Sequence, residues 1–138
     1  MKKFKKNYCT KEEVEVIVEN IIEGIKEKKG QNIVWIDLSA LENSICQYFI
    51  ICHGESNTQV NAIAHGVEKV MEDNLNEKAY SKQGFENAQW ILLDYVDVVV
   101  HIFQKEFRNF YNLEGLWADG GVNLVENEYL NKKGQLYT

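Results

Sequence analysis

Three groups of side chains in this chain have types and spacings that invite a chemical reading. An apolar run ending at Cys52 leads into His53-Gly54-Glu55-Ser56 and then into a helical pattern. A glycine turn that feeds free helix N–H groups is a geometry that holds phosphate. The Walker spacing GxxxxGK[ST] and the dinucleotide spacing GxGxxG are both absent, so the favoured reading is a tight turn at Gly54 and a helix cap at Ser56. A nucleotide-binding or nucleotidyl-transferring enzyme using the Gly54-x-Ser56 turn stands as the alternative function. Asp94 and Asp97 resemble a cation-binding carboxylate pair of the kind phosphoryl transfer requires. Residues three apart on a strand point to opposite faces, and an intervening turn separates them further, so they read as turn-region acids. His53, His65 and His101 have no HxxxH or HExxH spacing, the cysteines have no CxxC, and no serine or cysteine sits in a GxSxG context. No catalytic residue, metal or cofactor is expected.

The segment FRNFYNLEGLW, residues 107–117, is different in kind. Phe107, Phe110, Leu113 and Leu116 fit one buried helical face, but a single face cannot also take Arg108, Tyr111 and Trp117. Tryptophan, tyrosine and arginine carry most protein–protein hot spots, and Trp90 and Tyr95 lie on a nearby hairpin, so an aromatic docking surface is predicted.

These residues must be positioned by a small set of elements. Thr10 and Glu13 have capping-box spacing, and Val14, Ile17, Val18, Ile21, Ile22 and Ile25 form one apolar stripe ahead of Gly30, which predicts a helix over 11–29. IVWIDL (33–38) and ICQYFIIC (45–52) read as strands joined too briefly for a crossover helix, hence as antiparallel neighbours. Ser56 and Gln59 open a second helix that runs to about Leu75. Strands follow at 78–82, 89–95 and 98–103, the last two as a hairpin around Val96–Asp97, and then a helix over 105–116. The order α-β-β-α-β-β-β-α predicts one α/β domain over 11–119, a mixed sheet of about five strands flanked by helices. Residues 1–10 are expected to be a mobile basic leader. Residues 120–138 are expected to be a mobile tail, with a short ordered piece around Leu124–Leu130.

Composition narrows the partners. Fifteen basic against twenty-one acidic side chains give a net charge of −6, and Arg108 is the only arginine. Direct nucleic-acid binding needs a basic footprint, so little of it is expected, and a basic protein partner fits better. Cys9, Cys46 and Cys52 read as reduced thiols, because Cys46 and Cys52 lie too far apart on one extended segment to bridge. No apolar stretch approaches the roughly 18–20 residues of a membrane span, and MKKFKK leads into no signal core, so no membrane contact and a cytoplasmic location are expected.

Three blocks in order, CQYFIICHGESNTQVNAIA, QWILLDYVDVVVHIF and FRNFYNLEGLWAD, resemble the ribosomal silencing factor family, RsfS, also called the Iojap or YbeB family. Its pattern reads DYFVIASGxSxRQVxAIA, WxLLDYGDVVVHxF and REYYxLExLW, and the resemblance covers about residues 14–119. It implies a nucleotidyltransferase-like fold without the catalytic residues and a non-enzymatic role. It implies binding to the large ribosomal subunit through ribosomal protein fourteen, steric blocking of small-subunit joining, and repression of translation when nutrients are scarce. The matched positions give a partner-binding set of Trp90, Asp94, Tyr95, His101, Arg108, Tyr111, Glu114 and Trp117. Direct contact is expected of Trp90, Asp94, Tyr111, Glu114 and Trp117, whereas Leu92, Leu113 and Leu116 serve as core. A homodimer in the free state, formed by the same aromatic surface, is expected. Gln47 stands where the family pattern has aspartate, Thr58 where it has arginine, and Gln83 where glutamate is common. If the aspartate and arginine pair, their joint replacement removes one exposed ion pair, which is worth little.

Overall fold

A computed structural model of the chain describes residues 10–38, 46–111 and 122–124, with only the backbone of 110, 111 and 122–124. The first helix, α1 (Lys11–Glu27), opens on the expected capping box. The Glu13 N–H donates to Thr10 Oγ1 at 3.1 Å and the Thr10 N–H to Glu13 Oε1 at 2.8 Å. It stops two residues earlier than the stripe suggests, because Lys29 turns into the left-handed region at φ 63°.

Two antiparallel strands follow, β1 (Gln31–Asp37) and β2 (Tyr48–Gly54), as their short connection requires. The second helix, α2 (Asn57–Leu75), is capped by Ser56 and ends on Asn76, whose positive φ of 55° asparagine tolerates well. The next strands are β3 (Ser81–Gln83), β4 (Trp90–Asp94) and β5 (Val98–Gln104), with β4 and β5 forming the expected hairpin. Then come α3 (Lys105–Tyr111) and β6 (Val122–Leu124). The mixed sheet flanked by helices is thus present, with one strand beyond the expected five. That strand comes from the segment read as tail, where three residues pair antiparallel with β1.

The strand order is β3-β4-β5-β2-β1-β6, and β2–β5 at its centre is the only parallel pair among the described strands. Both central strands are buried along almost their whole length, which is why they read as continuous apolar runs with no alternation. Side chains leave a strand alternately, so the sheet has two unlike faces. One face (Ile33, Tyr48, Ile50, Cys52, Ile91, Leu93, Val98, Val100, Ile102) packs under α1 and α2. The other (Val34, Ile36, Phe49, Ile51, Val99, Phe103) forms a second cluster joined by Trp90, Leu92 and Phe107.

The helix layer depends on a glycine crossing. A Cβ on Gly24 would lie 2.8 Å from Val67 Cα and 2.9 Å from the Gly66 carbonyl oxygen, so α1 and α2 meet backbone to backbone there. Cys46 and Cys52 are free and buried, and burial pushes both thiols up to about 12, which leaves them protonated and inert. Cys9 lies outside the described residues.

Candidate partner-binding site

The side chains of interest gather on the sheet face away from α1 and α2. Trp90 is the first residue of β4 and pairs across the ladder with Phe103, while Leu92 pairs with His101. Trp90 and His101 are therefore diagonal neighbours on one face, within reach of long side chains. The Trp90 indole Nε1–H donates to His101 Nδ1 at 3.1 Å. The indole also stacks on Phe103, with centroids 5.0 Å apart and planes 27° apart, and Phe49 meets His101 edge-on at 4.6 Å. Trp90 itself stays half-buried.

His101 is 4% exposed, and burial pulls its pKa down to about 4. An indole nitrogen only donates, so Nδ1 must accept and the proton of the neutral ring sits on Nε2. That buried Nε2–H has no hydrogen-bond partner among the described residues.

Arg108 does not reach outward. Its Nη1 lies 2.9 Å from His53 Nδ1, both residues are buried, and a guanidinium can only donate. The pair fastens α3 to the C-terminal end of β2. Asp94 is half-buried, and its Oδ1 accepts the Val96 N–H at 2.7 Å. Tyr95 leaves this face altogether and belongs to the core beneath α1 and α2. Its hydroxyl is buried with no hydrogen-bond partner among the described residues. Burial first, and then the charges of Glu68, Glu72 and Glu77, move the phenol's titration above the usual tyrosine range.

Of the expected set, Trp90, Asp94, His101 and Arg108 thus share one face and Tyr95 does not. Tyr95, His101 and Arg108, expected in the partner-binding set but not among the direct contacts, are buried and support other elements. The Tyr111 side chain, Glu114 and Trp117 lie outside the described residues.

The hairpin turn is tightly determined. The Asp97 N–H donates to the Tyr95 carbonyl and the Tyr95 N–H to the Val98 carbonyl, both at 2.9 Å. These close a three-residue γ-turn on Val96 at φ 77°, where the family pattern has glycine. The Asp97 carbonyl accepts the N–H groups of Gln47 and Tyr48, and its Oδ1 accepts Gln47 Nε2 at 3.2 Å. Gln47 therefore serves the turn. Gln47 and Thr58 flank opposite ends of β2, so the residues at these positions do not form an ion pair. Gly84, at φ 92°, lets its chain pass against the Trp90 carbonyl oxygen, a place that a Cβ would fill.

Sequence reasoning placed Gln59 in the cap of α2, where its N–H does go to Ser56, but missed that its side chain closes the phosphate-like turn. Its Oε1 accepts the Glu55 N–H at 2.7 Å, its Nε2 donates to the carbonyls of Lys28 and Lys29, and its own N–H goes to Ser56. The side chain lies over Gly54, with Gln59 Cγ 3.1 Å from where a Cβ would stand. The volume and two donors that a phosphate would use are already taken, so the nucleotide reading is not favoured. Its signal was the position itself, three residues after a cap serine, where a glutamine reaches back. Among the described residues no three His, Cys, Asp or Glu side chains gather as a metal site, and no helix is long and apolar enough to cross a membrane.

A sequence model of the family described as ribosomal silencing factor during starvation matches residues 11–135. The chain belongs to the ribosomal silencing factor family. The match extends past the three motif blocks and takes in β6. A ribosomal silencing factor RsfS of Halalkalibacterium halodurans is 41% identical over 98 residues, 71% of this chain and 82% of the relative. Its counterpart in Bacillus subtilis is 40% identical over 93 residues, 67% and 77% of the two chains. A crystal structure of a Chromobacterium violaceum protein superposes with a TM-score of 0.73 at 34% identity, covering 77% of this chain and 87% of that one. The RsfS relatives are named as silencing factors and not as enzymes.

Proposed function

We propose that this chain is a cytoplasmic ribosomal silencing factor. It docks on the large ribosomal subunit through ribosomal protein fourteen and occupies surface that the small subunit needs, which lowers translation when nutrients are scarce. The observation that carries the reading is the family match over residues 11–135, joined to a sheet face on which a half-buried tryptophan is held in place. Inhibition by occupancy needs no transition-state chemistry, consistent with the filled turn at Gly54. A net charge of −6 suits a basic ribosomal protein better than bare RNA, since complementary potentials steer encounter and select partners.

Within this reading Trp90, Asp94, Tyr111, Glu114 and Trp117 make the contact. His101 and Arg108 hold the face, and Tyr95 holds the hairpin from the other side. Free copies pair through the same aromatic surface, so ribosome binding and self-association compete.

The test is sucrose-gradient sedimentation of separated subunits after magnesium is added, with and without excess protein, beside Trp90→Ala and Trp117→Ala. The expected result is that the wild type sediments with the large subunit and keeps subunits apart, and that the variants lose both effects. Normal joining with the protein left at the top of the gradient refutes the proposal.

A further inference from the structure

A tryptophan on a docking face ordinarily offers a partner both an apolar ring and a hydrogen-bond donor. Here the donor is already used. Trp90 Nε1–H is spent on His101 Nδ1, the ring lies on Phe103, and the strand at Trp90 passes against Gly84, where no Cβ fits. His101 is held in turn by Phe49 and is 4% exposed, whereas Trp90 is only half-buried. The acceptor is thus the rigid member of the pair and the indole is the member that reaches the surface.

We infer that His101 is a positioning residue that locks Trp90 in one rotamer, so that the indole meets its partner as a pre-set apolar wedge needing no acceptor in the partner's pocket. The inference rests on the proposed docking role of this face. A side chain ordered before binding does not lose its rotamer freedom on binding, and one such side chain is worth roughly three- to tenfold in affinity. The tautomer agrees, since a ring whose Nδ1 accepts is neutral and adds no charge beneath the aromatic face.

Three substitutions separate positioning from bulk structure. His101→Asn sets its amide oxygen near the place of Nδ1 and keeps the acceptor. His101→Gln moves its amide toward the place of Nε2 and loses that acceptor at similar polarity. His101→Phe removes the acceptor together with the Nε2–H that has no partner among the described residues, and so makes the same test with less risk to the fold. The readouts are the Trp90 indole N–H resonance, assigned by its loss in Trp90→Phe, and affinity for purified large subunits.

The expected result is a slowly exchanging indole proton in the wild type and H101N, and fast exchange in H101Q and H101F with binding about fivefold weaker. In a W90F background the same His101 changes should leave affinity unmoved, because the coupling runs through the indole. The inference is overturned if H101Q and H101F lose the indole bond but bind like the wild type. It is equally overturned if they weaken binding as much in W90F, which marks a merely structural role. A wild type that binds no large subunits refutes the docking role itself and is recognised before any variant is compared.

Discussion

Acidification should destabilise this protein through His101. Burial holds the ring neutral, with a pKa of about 4 against an ordinary 6.5. Below pH 6.5 the unfolded chain takes up a proton at this position that the folded chain refuses. The contribution is complete above pH 6.5 and is lost as the pH falls toward 4. The difference of about 2.5 pH units corresponds to about 3 kcal/mol in full, of which about 2 kcal/mol disappears between pH 7 and pH 5. That is a large share of the stability of about 5–15 kcal/mol usual for a domain. The assay is urea unfolding at several pH values, comparing the wild type with His101→Phe, which keeps every other ionisable group. The wild type should lose about 2 kcal/mol more than the variant over that interval. Parallel curves would show that the ring is not kept neutral by burial and would undo the tautomer argument on Trp90.

Three further outcomes follow from the geometry. Tyr95→Phe removes a buried hydroxyl without a partner among the described residues and should raise stability by about 1 kcal/mol in thermal unfolding; a clear loss would mean the hydroxyl is satisfied. Val96→Gly relieves a β-branched residue at φ 77° and should stabilise by about 1 kcal/mol in urea, whereas a destabilised variant would refute the strain reading. Gly24→Ala drives a Cβ to 2.8 Å from Val67 Cα and should cost about 2 kcal/mol, measured as a lower urea midpoint, and a neutral result would mean that the helices part freely.

The order of the elements was legible because its signals are local. A capping box spans four residues, a helical stripe repeats every three or four, and a two-residue turn between apolar runs makes a hairpin, so α1, α2 and the β4–β5 pair could be read directly. The three motif blocks carry the family in the same local way.

The site was legible only as a list of residues. The partner of Arg108 is His53, 55 positions away, and the partner of Gln47 is Asp97, 50 away. Neither pairing leaves a mark in any short window. They exist because β2 lies parallel to β5 at the centre of the sheet, which brings Tyr48 beside Val98 and Gly54 beside Gln104. Strand parity separates Tyr95 from Trp90 and Asp94 in the sequence itself, yet which face takes α1 and α2 depends on how the layers pack. The sixth strand tells the same story. Val122–Leu124 has little strand signal of its own, and the free edge of β1 supplies its hydrogen-bond partners. Short-range spacing thus determined the elements and the family, while the choice of buried and presented side chains came from pairings between distant segments, whose free energy exists only once the sheet has formed.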